Sequence, residues 1–401
     1  MRGLVRAGAA LAVFGLVAGC SVSGGREAQD PTGTPVTSAT AAPTPTSANG
    51  PASPTGDPNL LPGMPALLSP TDVWAADRPN LMSPVVGGMP ERVYVPNSKS
   101  DTVTVIDPKT YRVLRTVTVG HEPQHVVPSW DLKTLWVNND LGNSLTPIDP
   151  RTGRFGRPVR VSDPYNLYFT PDGRYAVVMA SADHRLNFLD PHTMALRRSV
   201  PVPCAGVNHA DFSADGRYFL VSCEFSGKVL KVDTAAMRVI GVLRLPGGMS
   251  KPQDVKMSPD GKVFYVADMM RDGVWMLDGD RLKVVGFLAT GRGAHGLYVT
   301  RDSRRLLVTN RDEGSISLLD LATRRPVGRW HLPGGGSPDM GGLSPDGTVF
   351  WVAGRYNGVV YAISVADGRL LRKIKVGRGP HGLAIYPQPG RYSLGHTGVF
   401  R

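Results

Sequence analysis

A turn-forming tetrapeptide built on Ser-Pro-Asp-Gly, each copy followed by a short apolar run, recurs seven times in this chain at intervals of 41 to 45 residues. Ser258-Pro259-Asp260-Gly261 and Ser344-Pro345-Asp346-Gly347 are literal copies, and Thr170-Pro171-Asp172-Gly173 and Ser213-Ala214-Asp215-Gly216 are close ones. Ser129-Trp130-Asp131, Thr300-Arg301-Asp302-Ser303 and Tyr386-Pro387-Gln388 are worn. Self-similarity at this period means a repeat array rather than a single folded core. The array runs from about residue 92 to the end, so the 401 residues need not divide into two domains.

Residues 253–288 show what one unit contains. Asp254-Val255-Lys256-Met257 reads as a short strand, and Ser258 to Gly261 as a tight turn in which Pro sets φ and Gly closes the bend. Val263-Phe264-Tyr265-Val266-Ala267 is β-branched and aromatic, as a second strand requires. Val274 to Leu277 and Leu282 to Leu288 supply a third and a fourth. Four strands with short turns make one propeller blade, and the predicted fold is an all-β, seven-bladed β-propeller with four antiparallel strands per blade. The N-terminal part offers three strands, near 92–97, 103–106 and 113–119, and the C-terminal part a lone one near 382–386. Their pairing completes the seventh blade and removes free sheet edges. Gly390 to Leu394 looks like a further second strand that either competes with 92–97 or lies outside the ring. The Asp residues that end the third strands (Asp107, Asp149, Asp190, Asp233, Asp278, Asp320) stand where an Asp-capped turn wants them.

Upstream of the array the chain changes character. Residues 1–20 carry Arg2 and Arg6, then an apolar run from Ala9 to Val17 that is too short to span a bilayer. The run ends in Val17-Ala18-Gly19-Cys20, which resembles the lipobox of bacterial lipoproteins; that resemblance implies export, lipidation of Cys20 and attachment to the outer face of the cell membrane. A plain secretory signal with a chance cysteine is the alternative. Residues 21–58 are Pro, Thr, Ala, Ser and Gly with almost no large apolar side chain, so they cannot offset their own ordering entropy and read as a disordered tether. Fully extended, such a tether reaches on the order of 100 Å. Residues 59–91 turn apolar again (Leu60, Leu61, Met64, Trp74, Leu81) and are expected to pack on the propeller of residues 92–401.

The array also resembles the YVTN β-propeller repeat family. Val93-Tyr94-Val95-Pro96-Asn97, Leu135-Trp136-Val137-Asn138-Asn139 and Leu307-Val308-Thr309-Asn310 match its second strand. Ala294-His295-Gly296 and Pro380-His381-Gly382 match the start of its first. The resemblance covers about residues 92–387 and implies a fold, not a chemistry, because its members include surface-layer proteins, a lactonase-like group, a periplasmic DNA-binding group and, more distantly, the d1-haem domain of nitrite reductase.

Strand direction alternates within a blade, so the seven first-strand starts should ring one mouth of the central channel. Five residues before the Ser column stand Gln124, Tyr165, Asn208, Gln253, His295, Asp339 and His381. The next column is His125, Asn166, His209, Asp254, Gly296, Met340 and Gly382. Four of the chain's nine histidines fall in these fourteen positions, which is more polar than a strand start needs. Arg292 and Arg378 lie three residues before His295 and His381. Three readings stay open. The His and Asn side chains cap strand starts; or the mouth binds a small polar ligand, peptide or glycan; or His125, His209 and Asp254, with His295 or His381, hold a metal or haem-like cofactor.

Cys204 and Cys223 fall in one blade on the mouth side, and in an exported protein a disulfide between them is the natural outcome, with free thiols or thiolate ligands as alternatives. Met249, Met257, Met269, Met270, Met276 and Met340 gather in neighbouring blades, where core filling competes with a thioether copper site. The net charge is +12, and the propeller itself holds 41 basic and 27 acidic residues without a run of four consecutive basic ones. Single-stranded nucleic-acid binding needs concentrated basic charge interleaved with aromatics, and the mouth loops mix both signs instead. No Gly-x-Ser-x-Gly, phosphate loop, His-Glu-x-x-His or Cys-x-x-Cys occurs. The expectation is a lipid-anchored binding protein that works through the mouth without catalysis. A metal- or cofactor-dependent, lactonase-like hydrolase at the same mouth is the alternative.

Overall fold

The computed structural model describes residues 58–396 and 398–401. The export segment, Cys20 and the tether up to residue 57 lie outside the described residues. Twenty-eight strands form seven four-stranded antiparallel sheets. Six blades are made of consecutive strands; the seventh joins Ala384–Tyr386 to Arg92–Asn97, Thr102–Asp107 and Arg112–Thr118. The two ends of the repeat array meet within that blade through Arg92 opposite Tyr386 and Tyr94 opposite Ala384. Among the described residues the only helical elements are 3-10 turns at Ala75–Asp77 and Pro84–Val86.

Burial follows from position in the blade. The innermost strands Pro123–Pro128, Val207–Phe212 and Pro252–Met257 are buried at every residue, because both faces meet neighbouring blades or the channel. The outermost strands Arg238–Arg244 and Lys283–Ala289 alternate exposed and half-buried residues, the period-2 signature of a sheet with one wet face.

The repeated turns explain themselves chemically. In six of the seven copies the Ser or Thr hydroxyl donates to the Asp two residues on: Ser129, Thr170, Ser213, Ser258, Thr300 and Ser344 at 2.5–2.7 Å. The same Asp then accepts a backbone N–H two residues later, as Asp260 does from Lys262 at 3.2 Å. Gly173, Gly216, Gly261 and Gly347 close these turns at φ of 68° to 76°, a region that costs side-chain-bearing residues energy. The six third-strand Asp residues cap the next turn by accepting backbone N–H groups, for example Asp107 from Lys109 and Asp320 from Thr323.

The channel end that these turns surround is closed by two segments from outside the repeat. Residues 59–91 run across successive turns: Leu61 N–H donates to Asp215 O, Val73 N–H to Pro259 O and Asn80 N–H to Pro345 O. Trp74 Nε1 reaches Met257 O at 2.9 Å, and Asp77 pairs with Arg301 at 3.2 Å. The C-terminal tail corrects the expectation of a further second strand. Residues 389–401 neither compete with Arg92–Asn97 nor lie outside the ring; they fold back into the channel. Ser393 pairs with Phe400, and Gly395 bridges to Tyr168 on an innermost strand. His396 N–H donates to Leu167 O, and Phe169 N–H to Leu394 O. Arg401 ends the chain buried, 3.1 Å from Asp211, with its guanidinium 4.1 Å from the centre of the Trp74 ring.

Candidate functional site

At the opposite end the innermost strands break their register at the two polar columns. Pairing shifts between Pro123 and His125, Val207 and Ala210, Pro252 and Val255, Ala294 and Leu297, and Pro338 and Gly341. Each shift is a bulge, which locally frees side chains from the strict in-out alternation and re-aims them. Thus Gln124, Asn208-His209, Gln253-Asp254, His295-Gly296 and Asp339-Met340 occupy the shifted steps rather than ordinary rungs. At Gly382 a Cβ would stand 2.0 Å from His125 Cδ2, so only glycine lets the His125 ring occupy its place.

The result is a knot of five buried imidazoles on the channel axis. Ring centres are 4.8 Å apart for His125 and His381, 5.0 Å for His125 and His396, 4.6 Å for His209 and His396, and 5.6 Å for His125 and His209. His295 joins at 5.9 Å from His381 and 6.4 Å from His209. None is more than 2% exposed. One nitrogen from each of His125, His209 and His396 lies within 4.8 Å of the other two.

Hydrogen bonds fix several tautomers. His125 Nδ1 stands 2.9 Å from the Tyr165 carbonyl, which can only accept, so Nδ1 carries the proton and Nε2 the lone pair. His381 Nδ1 donates to Asp339 Oδ2 at 2.7 Å, again leaving the lone pair on Nε2. His125 Nε2, His381 Nε2 and both nitrogens of His209 are buried without a hydrogen-bond partner. Asn166 commits Oδ1 to the Leu167 N–H and turns Nδ2 toward His396 Nδ1 at 3.2 Å. His396 Nε2 faces Asp254 at 3.8 Å.

Electrostatics keep the rings neutral. Burial pushes His125, His209, His295 and His396 well below the ordinary imidazole range, and for His125, His209 and His396 the neighbouring imidazoles add to it. Burial lowers His381 as well, against the opposing pull of Asp339. Burial alone would raise Asp339, but the His295 and His381 Nδ1 groups that face it, with the Arg311 guanidinium, outweigh it and hold the carboxyl well below its usual range. Arg311 sits 3.1 Å from Asp339 and Arg355 3.8 Å. Asp254 is pushed up to about 6 by burial, opposed by Lys256, whose ammonium lies 3.9 Å away.

The sequence columns therefore divide. His125, His209, His295, His381, Asp254 and Asp339 meet in or beside the knot. Gln124, Asn208 and Gln253 are buried at the rim, bonded to Glu122, Glu224 and the Lys251 carbonyl. Arg292 and Arg378 point to solvent and contribute backbone N–H groups to Glu313 and Ser100. Cys204 and Cys223 form a disulfide with Cα atoms 6.0 Å apart. His396 is the residue that column counting missed, because it enters from the tail. A signal was present: Tyr392, Leu394, Val399 and Phe400 make a tail too apolar to leave in water.

A YNCE-like β-propeller profile matches residues 81–389. The chain belongs to this family. No curated protein sequence matches the chain. Solved structures share its propeller. The periplasmic gluconolactonase PpgL of Pseudomonas aeruginosa is 22% identical at a TM-score of 0.62, over 75% of this chain and 99% of that one. A chain of the hydrazine synthase of Kuenenia stuttgartiensis is 21% identical at 0.61, over 71% and 94%. The dihydro-haem d1 dehydrogenase NirN, solved with DHE, is 16% identical at 0.56, over 80% and 78%. At these identities the likeness to solved structures speaks for the fold alone.

Proposed function

We propose that this YNCE-like propeller is a transition-metal-binding protein whose ligands are His125, His209 and His396, with His381 beside them. The observation that carries this reading is the set of buried imidazole lone pairs that have no hydrogen-bond partner, gathered where three ligand nitrogens lie within 4.8 Å of one another. Leaving buried polar atoms unpaired costs about 1–3 kcal/mol each. His125 and His209, held neutral with unpaired nitrogens, offset that cost once they share an ion. Three imidazole nitrogens sharing one ion at bonds of about 2.0–2.1 Å stand roughly 3.3–3.6 Å from one another, so nitrogens that now lie within 4.8 Å must close by up to about an ångström. The Tyr165 carbonyl on His125 and the Asp339 carboxylate on His381 are the outer partners that orient metal-binding imidazoles. His396 must change partners when an ion enters, because Asn166 engages its Nδ1.

Burial favours binding over hydrolysis. A substrate pocket typically encloses about 300–1,000 Å³. The cavity that adjoins His396 holds about 10 Å³, room for a single water. A sugar lactone or a macrocycle would have to displace rim residues to touch the imidazoles. In the same proposal Cys20 carries the lipid and residues 21–58 tether the propeller outside the cell membrane; replacing Cys20 with Ser then releases the protein from membranes in fractionated cells.

Elemental analysis of the mature protein, stripped and reloaded with Cu(I), Zn(II) or Co(II), tests the metal reading. One tightly bound ion per chain is expected, with a rise in melting temperature of the loaded protein. His125→Ala with His209→Ala should abolish both, in a metal-free protein that still unfolds cooperatively but at a lower temperature, because two buried rings give way to cavity and the Tyr165 carbonyl loses its donor. Unchanged metal uptake in the double variant overturns the proposal.

A further inference from the structure

On the mouth face, a groove of about 360 Å³ is lined by Phe225, Met249, Met270 and Lys251 among others. Its apolar side chains are unusually open: Met249 is 76% exposed, Phe225 67% and Met270 50%. They sit on adjacent blades and do no core work, unlike Met257, which is 1% exposed. From this groove a line of contacts runs inward. Met269, next in sequence to Met270, places Sδ 2.8 Å from Arg311 Nη2. Arg311 Nη1 meets Asp339 at 3.1 Å, and Asp339 meets His295 Nδ1 at 3.1 Å. His295 Nδ1 is also 3.1 Å from Met340 Sδ, a thioether buried against the imidazole knot. Thioethers are soft ligands that choose Cu(I) over Zn(II) and other harder ions, whereas imidazole accepts all of them.

We infer that Met249 and Met270 form a surface capture site for Cu(I), and that Met269 and Met340 lead the ion inward to the histidines. This rests on the metal reading of the knot and narrows it to one ion. No electron moves: Cu(I) exchanges thioether for imidazole ligands and keeps its oxidation state. The harder, hydrated +2 ions gain little from thioethers and do not use this route.

The test compares loading rates in the full mature protein under anaerobic conditions. Cu(I) is offered as its bathocuproine disulfonate complex, and Co(II) as the free ion. Met249→Leu, Met269→Leu and Met270→Leu together keep side-chain volume and remove three sulfurs. The triple variant should load Cu(I) about tenfold more slowly or worse, reach the same final stoichiometry, and load Co(II) at the wild-type rate. Equal Cu(I) rates in variant and wild type overturn the capture route, and so does equal slowing of both ions. Wild-type protein that takes up Co(II) but not Cu(I) overturns the inference and leaves the histidine site standing; wild type that takes up neither overturns both.

Discussion

The two ends of the channel are built on opposite principles. At one end, six of the seven turns each hold an internal hydroxyl–carboxylate pair, and the turns are roofed by residues 59–91 and the C-terminal tail. Every charged group buried there has a counter-charge: Asp77 with Arg301, Asp211 with Arg401. At the other end five of the seven innermost strands slip register, and imidazole nitrogens are left without partners. Regularity at the first end closes the ring and seals it. Irregularity at the second end concentrates the groups that can do chemistry. The tail joins the two, since its Arg401 locks into the sealed end while its His396 reaches the imidazoles.

That link predicts the largest effect on stability. Arg401→Ala leaves Asp211 buried without its cation and removes the guanidinium from the Trp74 ring. Breaking one side of a buried pair costs about 3–5 kcal/mol, which denaturant unfolding of the metal-free protein would register. Because the same tail carries His396, the variant should also bind metal more weakly than wild type. Strong destabilisation with unchanged metal affinity would show that the sealed end and the imidazole knot are independent.

Much of this contrast was legible before any coordinates. Periodic Ser-Pro-Asp-Gly turns announce blade number and strand count, because a turn needs particular residues at particular steps and nothing distant can replace them. Counting back five residues found His295, Asp339 and His381, and the next column His125 and His209, for the same reason: strands keep their phase. Phase was also the limit. The bulges that aim these side chains leave no mark in composition, so whether the histidines met could not be read from spacing. His396 belongs to no repeat, and its position depends on long-range pairing of Gly395 with Tyr168.

A moderate effect tests the regular end alone. Gly261 closes its turn at φ of 68°, and a Cβ there would stand 2.9 Å from Ala214 Cβ. Gly261→Ala should cost about 1–2 kcal/mol of stability, measured by thermal or denaturant unfolding. Metal affinity should not change, since the turn lies at the far end of the strand from Asp254. A matching loss of affinity would mean that strain at the sealed end reaches the mouth.

The effect that is smallest near pH 4, and the one that isolates the mouth rim, concerns Asp140 and Asp163. Burial, reinforced by the Asp163 carboxyl beside it, pushes Asp140 up to about 8. In the unfolded chain the same group titrates near its ordinary value of about 3.9. Between those limits the folded protein holds a proton that the unfolded chain releases, so stability falls as pH rises from about 4 to about 8. The slope from one such group cannot exceed about 1.4 kcal/mol per pH unit. Asp140→Asn keeps a donor toward Asp163 and carries no titrating proton. Its unfolding free energy should match wild type near pH 4 and exceed it progressively toward pH 8. A wild-type slope that survives in the variant would place the proton elsewhere on the rim, and would leave the shared carboxyl pair without a role in the pH response of the mouth.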